Sequence, residues 1–253
     1  MVWLDMSENL QAIILVAASM GYDIAVRALN SPVGWWGWHF SGPEPLSIVQ
    51  LIRAGNLSPE MAALLWMGME RSASLIVAAN PPLAGKTTTL TALLSFAPPD
   101  SLAYFTKGQG ETFDLPEERG QGTYILINEL SDHLPVYTWG RYARRAFELM
   151  GQGYSMGSTM HADSPAEVLY QLQGELGIPA EHLARLTFIV TLHVALHSAE
   201  QRRVKEIFLI QRETEGYQVQ SLAGWLPADD SFQVLGSEEQ RKAFADWAGV
   251  SLQ

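Results

Sequence analysis

Hydrophobic residues along this 253-residue chain fall into short continuous runs, separated by polar segments that contain glycine and proline. Continuous apolar runs are typical of strands covered on both faces, whereas longer segments with one apolar side favour helices. The two kinds of segment together predict an α/β fold. The predicted strands are residues 75–79, 102–106, 124–127, a turn and strand at 153–159, and 188–192. The predicted helices are residues 46–54, 58–71, 88–96, 134–150, one that opens at 164–167, and 237–247.

Two of these helices carry clear start signals in the sequence. Ser58 is suited to cap a helix, and Pro59 fits the first helical position because proline has no N–H to leave unpaired. Ser164 followed by Pro165 has the same chemistry. Gly55 ends the preceding helix.

Residues 75–87 run from an apolar strand through a proline-containing turn into Gly85, Lys86 and Thr87. This order predicts a phosphate-binding loop, in which helix N-terminal N–H groups point at an anion and a lysine reaches the outer phosphates. A threonine hydroxyl ligates the accompanying Mg²⁺, a role that falls to Thr87. We therefore expect the chain to bind a nucleoside triphosphate with Mg²⁺. The residues expected to contact the nucleotide are Asn80, Ala84, Gly85, Lys86, Thr87 and Thr88.

Asn80 stands where the G-x-x-x-x-G-K-[ST] pattern has its first glycine. Asparagine tolerates a positive φ better than most residues, so the turn remains possible. The alternative interpretation is that residues 84–87 form an ordinary turn before a helix. The strand before the loop and the helix after it favour the nucleotide loop.

Two further residues follow predicted strands and are candidates for catalysis. Glu129 ends the apolar run at 124–127, and a carboxylate at the end of a buried strand lies where α/β proteins bind ligands. It is the candidate to orient Mg²⁺ or the attacking water, the alternative being a solvated strand end. His161 follows the strand at 153–159 and is a candidate sensor of the γ-phosphate, although a lone histidine is more often structural.

Composition narrows the class of protein. The chain is 47% hydrophobic and 17% charged, which is enough to bury a sizeable core, and it has no cysteine for a disulfide or zinc–thiolate site. A net charge of -11 argues against a general nucleic-acid surface. The apolar run at 12–18 is too short to span a bilayer and lacks the basic flank of a signal peptide, so a cytoplasmic protein is expected.

The sequence divides into a short N-terminal region, residues 1–45, and a nucleotide-binding domain with a C-terminal helical tail, residues 46–253. The first region contains a predicted helix and the aromatic residues Trp35, Trp36 and Trp38. These tryptophans either form a ligand platform or pack a small domain against a larger one, and packing is favoured.

His193 and His197 have the i, i+4 spacing that can hold zinc on a helix. The β-branched residues at 188–192 predict a strand instead, which would separate the imidazoles by about 13 Å. A zinc site is therefore disfavoured.

Five segments, taken in order, resemble the secretion and pilus ATPases of type II and type IV secretion systems and tight-adherence pili. The resemblance covers about residues 36–212 and is more specific than any single motif. The segments are Gly-Asn-Leu-Ser-Pro-Glu-Met at 55–61, Gly-Lys-Thr-Thr-Thr-Leu at 85–90, Asn-Glu-Leu-Ser-Asp at 128–132, Ser-Thr-Met-His-Ala at 158–162 and Arg-Arg-Val-Lys-Glu-Ile at 202–207.

The resemblance implies a RecA-like P-loop domain with a short N-terminal α/β extension, a hexameric ring, and ATP hydrolysis that drives pilus assembly or protein export. It implies inner-membrane secretion or pilus platform proteins as partners, with no nucleic acid. By position, Lys86 and Thr87 hold phosphate and Mg²⁺, Glu129 is the second-motif glutamate, and His161 belongs to the family's histidine box. Arg202 and its neighbour match an arginine pair.

Several positions depart from the family pattern. Asn80 and Leu83 replace loop glycines, and Lys107 falls where the family has an acidic pair, with Glu111 as a substitute from the loop. The family's arginine-rich segment before the second motif is missing, which would lower turnover strongly unless Arg144 or Arg145 compensates from a neighbouring subunit.

Two hypotheses follow from these matches and departures. The first is an ATPase subunit of low activity, and the second is a non-hydrolysing paralogue that assembles with an active ATPase.

Overall fold

The computed structural model describes residues 26–30, 46–115, 122–195, 198–234 and 237–249. Strands in this part of the chain form one sheet in the order β1-β3-β4-β5-β2-β6-β7-β8-β9. Their bounds are β1 Val26–Ala28, β2 Leu75–Ala78, β3 Ser101–Phe105, β4 Tyr124–Leu130, β5 Ser155–Met160, β6 Phe188–Ala195, β7 Ser198–Arg212, β8 Tyr217–Leu226 and β9 Ser231–Val234.

The helices cover the parallel part of this sheet on both faces. Their bounds are α1 Ile48–Arg53, α2 Pro59–Met69, α3 Lys86–Leu94, α4 Arg141–Met150, α5 Pro165–Leu169 with a π-helical continuation Tyr170–Glu175, α6 Ala180–Leu183 and α7 Glu238–Ala248.

Strand β2 lies inside the sheet, parallel to β5 on one side and to β6 on the other. Strands β4, β3 and β1 extend the parallel part beyond β5. Strand β5 lies between β2 and β4. The segments that follow these three parallel strands therefore lie side by side at one edge of the sheet. The predicted α/β fold class is confirmed as a mixed fold built on a large, mostly parallel sheet, and all residues of β2 are buried.

Alternate residues of the strands face two separate cores. Leu75 and Val77 of β2 point into the core formed with α2 and α3, while Ile76 points into the core formed with α4 and α5. Gly157 of β5 allows α3 to approach the sheet closely, because a Cβ there would lie 3.2 Å from Leu90. A sheet buried on both faces explains why its strands appear in the sequence as continuous apolar runs.

The far side of the sheet is antiparallel, since β6, β7, β8 and β9 pair in that sense. Helix α7 packs against it through Phe244, whose ring centroid lies 6.0 Å from that of Phe188, and Trp247, at 6.2 Å from the same ring. The C-terminal helix predicted at residues 237–247 is therefore present, at Glu238–Ala248.

Helix starts follow the predicted caps. The Ser58 hydroxyl accepts a hydrogen bond from the Met61 N–H at 3.2 Å, and the Ser164 hydroxyl accepts one from the Glu167 N–H at 3.2 Å. Both helices have proline at their first position.

Several boundaries differ from the prediction by a few residues, such as the helix expected at 88–96, which runs from Lys86 to Leu94, and two differences matter more. The helix predicted for residues 134–150 begins only at Arg141, because residues 131–140 form turns that include Pro135, and Gly140 has a φ of 60°. Strand β4 does not end before Glu129 but continues through it to Leu130, with an irregularity in its pairing after Ile127.

The N-terminal tryptophans, the helix predicted in the first region and His197 lie outside the described residues. His193 lies in β6, as expected for a strand. No helix in the described ranges is long and apolar enough to cross a membrane.

Candidate nucleotide site

The loop between β2 and α3 occupies the carboxyl edge of the sheet. Gly85 precedes α3 with a φ of 93°, and its carbonyl accepts the first helical hydrogen bond, from the Thr89 N–H at 2.9 Å. A side chain at this position would be strained by the φ value and would lie 3.4 Å from the Arg202 side chain. Residues 86–88 form the first turn of the helix, where N–H groups have no intrahelical acceptor. Their orientation suits an anion.

The first half of the loop differs from what was expected of Asn80. Positive φ values occur at Leu83, with 59°, and at Gly85, but not at Asn80. Leu83 is also 85% exposed, so its side chain gains little from packing. The left-handed conformation is unfavourable for a residue with a Cβ, and here a leucine takes the place of the glycine that would relieve it.

Lys86 is almost completely buried, with 9% of its surface exposed. Its ammonium donates to the Ala79 carbonyl at 3.0 Å and lies 3.4 Å from Nδ1 of His161. Burial lowers the pKa of Lys86 from its ordinary value of 10.5, and the carboxylates of Glu129 and Asp163 oppose that shift. A buried cation of this kind is stabilised by any anion that binds beside it.

Glu129 and His161 meet across the ends of β4 and β5. His161 Nε2 lies 3.3 Å from Oε2 of Glu129, and Nδ1 lies 3.0 Å from the Asn80 carbonyl oxygen. With the proton on Nε2, the ring donates to Glu129 and accepts from Lys86, which links the cation to the carboxylate. With the proton on Nδ1, it donates to Asn80 instead. The two predicted catalytic residues are therefore brought together with the loop lysine.

The other carboxylate oxygen of Glu129, Oε1, is buried and has no hydrogen-bond partner among the described residues. Glu129 as a whole is 5% exposed. A buried carboxylate oxygen without a donor is unfavourable, and such an atom calls for a water or cation partner. This property fits a group that orients water or Mg²⁺ beside a nucleotide.

Asp163 is a residue of this site that the sequence did not single out. Its carboxylate accepts two hydrogen bonds from Asn80, one from the backbone N–H at 3.0 Å and one from the side-chain amide at 2.8 Å. Its own backbone is fixed by Glu167, which accepts from the Asp163 N–H at 2.8 Å, and by Lys205, which donates to its carbonyl at 3.2 Å. The anion nearest the first half of the loop is thus a side chain of the protein itself.

The predicted arginine pair divides between two structural roles. Arg202 donates from Nε to the Leu83 carbonyl at 2.8 Å and so holds the loop from β7. Arg203 forms a two-bond ion pair with Asp230, at 2.8 and 2.7 Å, and this pair lowers the pKa of Asp230 to about 2. The motif match in the sequence pointed to both residues but not to the contact of Arg202 with the loop.

Ala84 is buried, and Thr87 and Thr88 are half-buried in the first turn of α3. Within the described residues, no three histidine or acidic side chains cluster to hold a metal by themselves. Mg²⁺ is commonly bound through one or two protein oxygens together with phosphate oxygens. Thr87, with Glu129 across the site, fits that limited donor set.

Glu111 does approach from its loop, but its carboxylate is engaged there. It accepts hydrogen bonds from the Tyr104 hydroxyl at 2.7 Å and from the Lys107 and Phe113 N–H groups, both at 2.6 Å. Its bonds close the loop after β3, and burial together with the Glu111 carboxylate raises the pKa of Tyr104.

The two arginines considered as substitutes for the missing segment also have partners within the chain. Arg144 donates to the Leu176 carbonyl at 3.2 Å, and Arg145 pairs with Glu148 at 3.0 Å. Both side chains are exposed on α4.

Comparison with known proteins finds relatives without a described function. No family model matches the sequence. The chain is 27% identical over 233 residues to the uncharacterized protein MJ1287 of Methanocaldococcus jannaschii, which covers 79% of this chain and 83% of that protein. It is 28% identical over 229 residues to the uncharacterized protein MJ0900 of the same organism, which covers 76% of this chain but 39% of that protein.

Among solved structures, the chain is similar to the VirB11 ATPase from the Brucella suis type IV secretion system, determined in complex with sulphate. The TM-score is 0.43 with 19% sequence identity, over 70% of this chain and 60% of that one. The chain thus spans less than two thirds of this structure, as it does of MJ0900.

Proposed function

We propose that this chain binds a nucleoside triphosphate with Mg²⁺ at the loop between β2 and α3, and that it is a secretion or pilus-type ATPase subunit of low turnover. The observation that carries the proposal is the linked set of Lys86, His161 and Glu129. These three side chains converge at the carboxyl edge of three parallel strands, beside a helix N-terminus.

Lys86 supports binding because its buried ammonium lacks a directly bonded carboxylate. Among the described residues, its Nζ contacts the Ala79 carbonyl at 3.0 Å and His161 Nδ1 at 3.4 Å, and burial lowers its pKa. Phosphate oxygens at the first turn of α3 would compensate the buried charge, and the N–H groups of residues 86–88 would donate to the same anion.

Glu129 supports hydrolysis because its Oε1 is buried without a donor among the described residues. Bound Mg-ATP would supply a phosphoanhydride that water can attack, with the metal spreading the developing charge. Glu129 would then hold the attacking water, and His161 would keep the carboxylate in place through its contact at 3.3 Å.

Low turnover follows from the side chains that are engaged elsewhere. Lys107 is exposed and faces Asp114 at 4.0 Å, and Glu111 is bonded within its own loop. Arg144 and Arg145 have partners on α4 and the segment after α5. Arg202 lies at the loop but donates to the Leu83 carbonyl. Where no arginine reaches the transferred phosphoryl group, catalysis loses about 10³ to 10⁵ in rate.

A second candidate function is a non-hydrolysing subunit that regulates or scaffolds an active ATPase. The contact of Asp163 with the Asn80 N–H favours it, because that donor is then occupied by a carboxylate of the chain. The left-handed Leu83 favours it as well.

Titration calorimetry with Mg-ATP, with phosphate release measured on the same samples, tests the proposal. The Lys86→Ala variant is expected to lose about 100-fold or more in affinity, since it removes the buried cation that meets the phosphates. The matched control is Lys107→Ala, an exposed lysine that should leave binding unchanged. Equal affinity of Lys86→Ala and the native chain would overturn the loop assignment. Binding without phosphate release would select the second function.

The resemblance of the five motifs supports a ring of six copies, or co-assembly with an active ATPase, at an inner-membrane secretion or pilus platform. Analytical ultracentrifugation with and without Mg-ATP tests the ring. Sedimentation as a monomer under both conditions would count against self-assembly and favour co-assembly with another subunit.

A further inference from the structure

A cavity of about 640 Å³ lies at the edge of the sheet opposite the nucleotide loop. Ser74, Ser155 and Thr187 line it at the amino ends of β2, β5 and β6. Arg212 closes one side, because β7 runs antiparallel to β6 and ends at this edge. The cavity is therefore separated from Lys86 and Glu129 by the length of the strands.

Three arginines line this cavity, and all three are exposed: Arg71, Arg185 and Arg212. No aspartate or glutamate is among the described residues that line it. Nor does any of the three guanidinium groups form an ion pair within 4.0 Å in the described part of the chain. In a chain of net charge -11, three arginines without acidic partners are a local exception to the overall charge.

The rest of the lining is partly aromatic and fixed in place. Trp247 is 41% exposed, and its ring stacks on Phe244 with centroids 5.8 Å apart. Tyr154 and Met150 add further apolar surface. An exposed tryptophan beside arginines suits a ligand with both a flat ring and negative charge, because rings stack on indole while guanidinium binds oxyanions.

The floor of the cavity is rigid because its hydroxyl groups bond to the backbone. The Ser155 hydroxyl donates to the Ser72 carbonyl at 2.7 Å, and the Ser74 hydroxyl accepts from the Met156 N–H at 3.0 Å. Affinity for charge therefore resides in the arginines at the mouth rather than in the floor.

We propose that this cavity binds a small phosphate ester with an aromatic ring, of the nucleoside monophosphate class. Its volume falls within the range of small-molecule sites, about 300 to 1,000 Å³. One guanidinium group can bind two oxygens of a phosphate through parallel N–H donors. Three such groups supply more donors than a single carboxylate needs. This site is independent of the nucleotide loop, so the inference does not rest on the proposed ATPase function.

The test is a calorimetric titration of the Lys86→Ala chain, in which the loop lysine is removed. The probes are AMP, inorganic phosphate, adenosine and an oligoglutamate peptide. AMP is expected to bind, with phosphate and adenosine each at least about tenfold weaker, because each offers half of the contacts. The affinity for AMP is expected to fall by about tenfold or more when glutamine replaces Arg71, Arg185 and Arg212.

The matched control replaces Arg141 and Arg145 by glutamine, since both are exposed on α4 and neither lines the cavity. It should leave AMP binding unchanged. If the triple variant does not fold, Arg212→Gln alone is expected to weaken AMP severalfold. AMP affinity unaffected by the arginine substitutions, or no AMP binding in the Lys86→Ala chain, would overturn the proposal. Tighter binding of oligoglutamate than of AMP would overturn it in favour of an acidic protein partner.

Discussion

The two halves of the nucleotide loop differ in how their backbone is stabilised. Residues 84–88 keep the expected pattern, with Gly85 in a positive φ and the N–H groups of the first helical turn oriented together. Residues 79–83 do not, because Asn80 is bonded to Asp163 and the Leu83 carbonyl is bonded to Arg202. The second half is suited to an external anion, while the first half is tied to side chains of its own chain.

This difference suggests that affinity and turnover depend on different parts of the site. The groups that would bind phosphate, Lys86 and the helix N-terminus, belong to the half that is retained. The positions that differ from the secretion-ATPase pattern are two loop glycines, replaced by Asn80 and Leu83, and groups expected to support hydrolysis. Under the proposed function, changes at Lys86 and Asp163 are expected to alter Mg-ATP affinity, whereas a change at Glu129 is expected to alter phosphate release.

The largest effect is expected from Glu129→Gln. Removal of the charge that orients water should lower phosphate release by about 100-fold or more, while Mg-ATP affinity stays within a few-fold because Lys86 is untouched. Steady-state phosphate release and calorimetry measure the two quantities. Glu148→Gln, on the exposed face of α4, is the control. Unchanged phosphate release in Glu129→Gln would remove the residue from the site.

The next effect concerns pH. Because burial lowers the pKa of Lys86 below 10.5, its ammonium loses its proton at a lower pH than an exposed lysine does. Mg-ATP affinity should therefore fall as the pH rises through that lowered pKa, by about tenfold per pH unit beyond it. Binding should also take up protons, since phosphate favours the charged form. Calorimetry in buffers of different ionisation enthalpy measures this uptake, and an affinity independent of pH up to 10.5 would contradict the assignment.

The same pKa has a consequence for stability. A lysine whose pKa is lower in the folded than in the unfolded state opposes folding while it is charged. Charged Lys86 therefore lowers the free energy of unfolding by its full amount at low pH. This loss disappears as the pH rises from the lowered pKa toward 10.5.

A smaller effect is expected from Asp163→Ala, which acts on the first half of the loop. Loss of this carboxylate frees the Asn80 N–H and removes a negative charge that acts on Lys86. Mg-ATP affinity should rise by about fivefold, equivalent to one hydrogen bond of about 1 kcal/mol. Asp132→Ala is a matched exposed control. A fall in affinity would show that Asp163 organises the loop for binding instead of competing with the anion.

The smallest effect is expected from Leu83→Gly. Relief of the left-handed conformation is worth about 1 to 2 kcal/mol, and the greater freedom of glycine in the unfolded chain offsets about 0.4 to 1 kcal/mol. The net gain in the free energy of unfolding is about 0.5 to 1 kcal/mol, measured by urea denaturation. Leu83→Ala removes the exposed side chain but keeps the Cβ, so it should give no gain. Equal free energies of unfolding for Leu83→Gly and Leu83→Ala would contradict backbone strain at Leu83.

The features that sequence could predict are local ones. Ser58 and Pro59 mark a helix start from adjacent residues alone, and the loop follows from the order of strand, Gly85, Lys86 and helix. The contacts of Asn80 with Asp163 and of Leu83 with Arg202 join residues 83 and 119 positions apart, so no local pattern contains them.

The incorrect boundaries have a similar origin. The helix before Met150 was extended to residue 134 by its apolar positions, although Pro135 and Gly140 interrupt it. Glu129 was placed at the end of its strand because the continuous apolar run stops at Ile127. Its burial is compensated by His161, which comes from a neighbouring strand end and is invisible in the local sequence.

Amide hydrogen exchange of the native chain with and without Mg-ATP tests the central claim most directly. We expect slower exchange at residues 84–88, where N–H groups would donate to phosphate, and little change at Asn80, whose N–H already donates to Asp163. The Lys86→Ala variant should show no slowing at either place. Unchanged exchange at residues 84–88 at a saturating concentration of Mg-ATP, or slowing confined to the arginine-lined cavity, would contradict the assignment of this loop as the ATP site.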